Sequence, residues 1–474
     1  MGIKISSLYL YRLRYWIGYG LIGVTSVALL IFAGLYIPGG LSESEIQSTI
    51  VSSSLSTSDI SSLTVSNLPY HTLQNLSFKA LGVTNLSIKL PSLIISLATA
   101  LGLVLLLRLW YKRNVAVIGA AIALTTGQFL YIGQSGDPNI MNIFWPVVIL
   151  LLGTLVARLH SKLFVWKILL FTAIAWSLYT PFGIYAIIAL SIASLLHPHL
   201  RYIFKKLSKK NLLLAALIGV LFLVPFFYAI IISSDFRADI LGIQSSLPDF
   251  AKNLSILSDQ YLGFNSSSSI LPMVPVFGLG SVLIILFGFY RLIKNRASSQ
   301  SYLILLWTIS LIPIIIFNTD SISMTFLPLV LILCSGIDGI IRYWYNLFPR
   351  NPYARITGLI PLSILVIALV MPGLERYIDG YRYDPQAVSN FSYDLKLLPK
   401  NTKNLVVSDG EFAFYNVVQK YNSNISVSTK PISDSFVSTA KAKEDFKNYK
   451  IESITTSRSA NDGARFYTYK KITK

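Results

Sequence analysis

Residues 88–113 read IKLPSLIISLATALGLVLLLRLWYKR. Between Lys89 and Arg108 lie 18 residues without a charge. That run, with its flanks, is long enough for one helical crossing of a bilayer, which takes about 20 mostly apolar residues. One end carries the single Lys89 and the other carries Arg108, Lys112 and Arg113. Lys and Arg concentrate on the cytoplasmic side of short loops, so this segment predicts both a span and its direction.

The same reading extends along all 474 residues. Only 13% are charged and 53% are hydrophobic, and mean hydropathy is +0.60. A soluble domain carries about 25% charged residues, so a water-facing surface over the whole chain is excluded. Eleven crossings are predicted, near 16–38, 88–109, 115–133, 138–157, 163–178, 181–196, 212–233, 271–293, 301–317, 320–341 and 356–374. The run from 163 to 196 is divided into two short helices at Thr180-Pro181. The first apolar run is too long for a signal-peptide core and no small-residue cleavage site follows it.

The net charge of +19, from 40 Lys+Arg against 21 Asp+Glu, suggests nucleic acid at first sight. Its distribution says otherwise. With the N-terminus inside, the inner loops hold 20 basic residues and one acid, and the outer loops hold four and nine. The excess is a topology signal, and no nucleic-acid partner is expected. The one inner acid, Asp338, stands four residues before Arg342, the spacing of a helical ion pair. No ionisable residue is predicted near mid-span, which argues against an ion-coupled transporter or lipid flippase. The single Cys334 excludes a disulfide framework.

The expected architecture is a polytopic α-helical membrane domain over 1–374, with larger outer loops at 39–87 and 234–270. A small C-terminal α/β domain over 375–474 is expected outside, where 16 basic and 11 acidic residues and several short strand patterns appear. The first outer loop runs Gly39-Gly40-Leu41-Ser42-Glu43-Ser44-Glu45 and continues through Leu68-Pro69-Tyr70-His71. Residues 72–81 place Leu73, Leu76, Phe78 and Leu81 on one side, predicting an interfacial helix. Asp137-Pro138 has the form of a helix N-cap followed by a first-turn proline.

In this order and on this side, these pieces resemble the GT-C membrane glycosyltransferases, the superfamily of protein O-mannosyltransferases and lipid A aminoarabinose transferases. The matching pieces are Glu43/Glu45, Leu68-Pro69-Tyr70-His71, Ala80-Leu81-Gly82-Val83, Lys89-Leu90-Pro91-Ser92 and Asp137, within residues 16–160. The chain departs from the family's Asp-Glu pair by having Glu-Ser-Glu, and it has Lys89 in place of an Arg. A membrane scaffold that kept the fold without the chemistry is the alternative that these departures leave. The resemblance implies transfer of a sugar from a polyprenyl-phosphate donor to a lipid, glycan or protein acceptor, with inversion, on the outer face of the plasma membrane.

Such chemistry needs one carboxylate as general base and cations for the leaving phosphate. The candidate catalytic residues are Glu43, Glu45 and Asp137; the sequence leaves the base open between Glu43 and Glu45, with Glu43 preferred and the other two orienting the acceptor. The candidates for phosphate and substrate binding are Lys89, Arg237, Lys79, His71 and Tyr70. No cofactor is firmly implied, and a divalent metal stays open.

Overall fold

The computed structural model describes residues 9–36, 40–56, 59–158, 164–243, 248–263, 276–348, 353, 357–383, 391–422, 424–456 and 465–472. Residues 39 and 57–58 of the first predicted outer loop, 244–247 and 264–270 of the second, and 271–275 of one predicted span lie outside the described residues.

Helix α1 (Tyr9–Tyr36) leads into two shorter helices, α2 (Glu43–Ser54) and α3 (Leu68–Leu81), and then the long α4 (Asn85–Trp110). Next come α5 (Arg113–Leu124) and α6 (Gly127–Gln134), two halves of one segment bent by 61°. They are followed by α7 (Met141–Arg158), α8 (Phe164–Ser177) and α9 (Gly183–Leu196). Then α10 (Pro198–Lys206) turns away from α9 by 92°, and α11 (Lys209–Phe222) and α12 (Val224–Ile232) form another bent pair, at 49°. The helical part closes with α13 (Ser234–Leu241), α14 (Phe250–Leu262), α15 (Leu279–Lys294), α16 (Ser299–Phe317), α17 (Phe326–Leu347) and α18 (Leu359–Tyr383). Among the described residues, five helices are long and apolar enough to cross a membrane, or up to eight if each bent pair is one span. The chain is therefore built as a multi-pass membrane protein. A break does divide the 163–196 run, at a turn where Phe182 has a positive φ of 60°.

Lipid tails are as apolar as Leu, so membrane helices associate through close packing rather than hydrophobic exclusion. Here α15 and α17 meet backbone to backbone. A Cβ on Gly288 would strike the carbonyl of Ile332, and one on Gly336 would strike the carbonyl of Ile284. Gly119 on α5 opens a slot for the Cys334 sulfur on α17, the buried apolar role of that lone thiol.

Helix α3 is amphipathic the wrong way round for a soluble protein. Its buried residues are Tyr70, His71, Gln74, Asn75, Ser77 and Phe78. Its exposed residues include Leu73, Leu76 and Leu81. An outward apolar stripe of this kind suits a helix lying in a membrane interface. Phe78 departs from the expected stripe, because it turns inward to meet Tyr421. Helix α2 buries a similarly polar side, with Glu45, Ser48, Thr49, Ser52 and Ser53 beside Ile46.

After α18 the chain returns over α2. Leu41 and Tyr393 form an antiparallel bridge, and the carbonyl of Phe391 comes so close to Gly40 that no Cβ would fit there. Beyond it are β1 (Asn404–Val406), α19 (Asp409–Tyr421), β2 (Ser426–Ser428), β3 (Ser435–Thr439), β4 (Tyr449–Thr456) and β5 (Arg465–Lys471). They form one sheet of order β2-β1-β3-β5-β4, in which β1 pairs parallel with β2 and β3 while β5 runs antiparallel to β3 and β4. A shared apolar core joins α19 and the sheet to Leu41, Ile46, Phe78, Val83 and Ile88. α18 runs on to Tyr383, so the helical part does not end at the expected boundary of 374.

Candidate active site

The Glu-Ser-Glu stretch opens α2 with a capping box, which fixes what each acid can do. Ser42 is the N-cap and Glu45 is the third helical residue. The Ser42 N–H donates to Glu45 Oε2 at 2.7 Å, and the Ser42 hydroxyl reaches the same oxygen at 3.2 Å. Glu45 Oε1 accepts from the Gly136 N–H at 2.6 Å and stands 3.5 Å from Lys89 Nζ. Glu45 is 0% exposed and Lys89 is 2% exposed. A buried ion pair is tolerated when further hydrogen bonds satisfy it, and here they do. Glu45 thus ties the start of α2 to α4 and to the turn before α7.

Asp137 caps that turn. Its Oδ1 accepts from the Asn139 N–H at 3.1 Å, and its Oδ2 accepts from the Ser44 hydroxyl at 3.0 Å. Its backbone carbonyl accepts from Ser92, whose hydroxyl also meets the Tyr70 hydroxyl at 2.8 Å. Burial first, and then the neighbouring Glu45 charge, push the Asp137 carboxyl up to about 6. The N-cap role expected from sequence is present together with a perturbed, buried acid. A Cβ on Gly136 would lie 2.6 Å from Ile88 Cγ2 and 2.9 Å from the Ile88 carbonyl oxygen, so this turn is seated directly on α4.

Gln74 locks the layer from α3. Its amide nitrogen donates to the carbonyls of Ile88 and Gly136, both at 2.9 Å. Its oxygen accepts from Ser48 at 2.9 Å and Ser52 at 2.6 Å. Ser52 Oγ also meets His71 Nδ1 at 2.8 Å. Burial pushes His71 down to about 4, so it is neutral near pH 7.

Of the residues singled out by sequence, the fold brings together Glu45, Asp137, Lys89, Tyr70 and His71. Glu43 stands at the rim, exposed, and accepts from the Gln47 side chain at 3.2 Å. Lys79 is exposed in the last turn of α3. Arg237 is engaged locally: its guanidinium donates to the carbonyls of Ile230 at 2.6 Å and Ile231 at 3.3 Å, capping α12.

Gln74, Ser44 and Lys441 were not anticipated. Gln74 is four residues after Tyr70 and so shares its helix face, a signal present in the sequence. Lys441 comes from the C-terminal part. Its Nζ meets the Tyr393 hydroxyl at 2.5 Å, and Glu411 and Glu43 add to the field that raises its pKa. Among the described residues, no three His, Cys, Asp or Glu side chains gather as a metal-ligand set.

The sequence matches no protein-family model and no curated protein. Its structure is similar to the apo form of the oligosaccharyltransferase of Archaeoglobus fulgidus, with a TM-score of 0.55 and 14% identity over 88% of this chain and 65% of that one. It is also similar to ArnT from Cupriavidus metallidurans bound to undecaprenyl phosphate, with a TM-score of 0.52 and 10% identity over 95% and 98% of the two chains. AglB from Archaeoglobus fulgidus, in complex with an inhibitory peptide and a dolichol-phosphate, gives a TM-score of 0.50 and 12% identity over 91% and 70%. The chain thus spans slightly under two thirds of the apo oligosaccharyltransferase and nearly all of ArnT. Oligosaccharyltransferase and ArnT are both GT-C enzymes, and this chain has the fold of the GT-C membrane glycosyltransferases.

Proposed function

We propose that this chain is an integral-membrane glycosyltransferase that takes a sugar from a polyprenyl-phosphate carrier and passes it, with inversion, to a lipid, glycan or protein acceptor. Eleven crossings, a cytoplasmic N-terminus and an extracytoplasmic C-terminal domain would put the carboxylates on the outer face of the plasma membrane. The observation that carries the reading is the acidic rim itself: exposed Glu43, then Ser44, then buried Asp137. Solved structures of similar fold contain undecaprenyl phosphate and dolichol-phosphate, which supports the choice of donor.

In the proposed reaction, the acceptor oxygen bonds to the anomeric carbon as the bond from that carbon to the phosphate oxygen breaks. The phosphate leaves with the electron pair, and Glu43 takes the acceptor proton. Glu43 suits this role because it is the accessible carboxylate of the three. Asp137 positions Ser44 and the acceptor beside it. Glu45 and Lys89 hold the scaffold, a change from the acceptor-orienting and phosphate-binding roles their sequence positions suggested. Lys441 is the nearby exposed cation for the leaving phosphate, a better-placed candidate than Arg237 or Lys79. Tyr70 and His71 support the floor of the site.

The test is transfer of labelled sugar from a panel of polyprenyl-phosphate sugars by membranes carrying the protein. Glu43→Gln is expected to lose at least about a hundredfold in rate, and Lys441→Gln about tenfold. Absence of transfer from every donor would overturn the function. Transfer that survives Glu43→Gln would overturn the assignment of the base.

A further inference from the structure

The end of the bundle opposite the carboxylates holds a second feature. A cavity of about 630 Å³ lies between the end of α4, the end of α15, the start of α16 and the later turns of α17. α4 has 26 residues, so its two ends stand about 39 Å apart at 1.5 Å per residue. The cavity is therefore remote from Lys89 and Asp137. Its size falls in the range of small-molecule sites, roughly 300–1,000 Å³.

Its charge is one-sided. Lys112, Arg291, Lys294 and Arg342 line it against a single acid, Asp338. That acid is already occupied. Arg342 Nε lies 2.6 Å and Arg291 Nη1 lies 3.3 Å from Asp338 Oδ2. Arg291 also donates to the Ser335 carbonyl at 2.5 Å, which holds the guanidinium in place. Asp338 balances one cation, so three formal positive charges remain. Lys112 and Lys294 are exposed, and among the described residues no ion pair takes up either. The first turn of α16 adds its N-terminal end to the same wall, a further source of positive potential. A fixed Arg, two free Lys and a helix start suit the tetrahedral oxygens of a phosphate.

We propose that this cavity binds a phosphate group, carried either by the head group of an anionic phospholipid or by a free phosphate compound. Trp110, Leu292 and Ile304 supply an apolar edge that would accommodate the start of a lipid's acyl chains.

The experiment uses the full-length protein in nanodiscs of phosphatidylcholine with a minority of phosphatidylglycerol. Retained phosphatidylglycerol is counted by native mass spectrometry, and in a separate arm inorganic phosphate is titrated and followed by phosphorus NMR. The pocket variant is Lys112→Gln with Lys294→Gln. Both side chains are exposed and, among the described residues, neither is in an ion pair, so the fold is not at stake. The control is Lys205→Gln with Lys206→Gln on α10, which removes the same charge elsewhere. The pocket variant is expected to weaken lipid retention roughly tenfold or more, while the control stays near wild type. Loss of phosphate binding in place of lipid binding would support the site and assign a free phosphate source. Equal losses in both variants would reduce the effect to diffuse charge and overturn the proposal. Unchanged binding of both probes in the pocket variant would overturn it as well.

Discussion

Replacing Glu45 by Gln would separate architecture from chemistry at the carboxylate cluster. The native carboxylate accepts from the Ser42 N–H, the Ser42 hydroxyl and the Gly136 N–H, and it balances Lys89 at 3.5 Å. A glutamine of the same shape has one accepting oxygen. Its NH₂ end must face either the Ser42 N–H or the Gly136 N–H, and donor then meets donor in a site closed to water. Lys89 also loses its buried partner. Removing one member of a buried pair costs about 3–5 kcal/mol. Asp394 attracts Lys89 from farther away, so about 3 kcal/mol is the expected loss. Lys89→Met is milder, because Glu45 keeps its two backbone N–H donors, and such donors stabilise a carboxylate. The double variant relieves the unpaired cation, so it is expected to be more stable than Glu45→Gln alone, a non-additivity of about 1 kcal/mol or more. The assay is the thermal midpoint of detergent-purified protein, with sugar transfer measured at low temperature in parallel. A drop of several degrees is expected for Glu45→Gln, with partial recovery in the double variant. If Glu45→Gln melts like the wild type and still loses transfer, Glu45 meets substrate and the architectural role is wrong.

Asp137→Asn should behave in the opposite way. Its carboxyl is raised from 3.8 to about 6, so the folded state holds that proton better than the unfolded chain. The stabilising contribution is complete below about pH 4 and is lost as pH rises through 6. At pH 7 the ionised group is a burden of at most about 3 kcal/mol. The variant should then melt no lower than wild type at pH 7 while losing transfer at least about a hundredfold; a clearly lower midpoint at pH 7 would sink this. His71 titrates with the other sign, since burial lowers it from 6.5 to about 4. Its contribution is present above pH 6.5 and lost as pH falls toward 4, so His71→Gln should flatten the decline of the midpoint across that window. Arg237→Gln should cost under about 1 kcal/mol of stability, through the lost cap on Ile230 and Ile231, and leave transfer within about twofold; a large loss of transfer would return Arg237 to the site.

The helical, multi-pass character was legible because it rests on the run lengths of apolar residues and on one-sided Lys and Arg. Neither depends on tertiary contacts. The site was legible only in outline. Asp137 and Lys89 stand at helix starts where a sequence motif marks them, whereas Lys441 lies more than 300 residues from Glu43 and only the fold brings it into the field of that acid. Arg237 is ambiguous in sequence for a related reason. An exposed basic residue in an outer loop has the same sequence appearance whether it meets a substrate or caps a neighbouring helix, and the contacts to the carbonyls of Ile230 and Ile231 appear only in the fold. Strand β3 leaves a weak trace in the sequence because its buried run, Phe436-Val437-Ser438-Thr439, ends in two polar residues that hydrophobic patterning discounts.

The different placement of Glu43 and Glu45 follows from helix geometry once α2 is known to begin at Glu43. Successive residues on an α-helix turn by about 100°, so two acids separated by one residue stand about 200° apart. They cannot both face one substrate. The capping box commits Glu45 inward, because its carboxylate must fold back to the Ser42 N–H. Glu43 is thereby turned to the outside, and Ser44 between them meets Asp137. A Glu-Ser-Glu sequence therefore gives one acid to the scaffold and one to the rim. The intervening serine couples the rim to the second buried carboxylate. On this geometry Ser44→Ala should impair transfer without disturbing the Glu45–Lys89 pair. An unchanged rate would uncouple Asp137 from the chemistry proposed at Glu43.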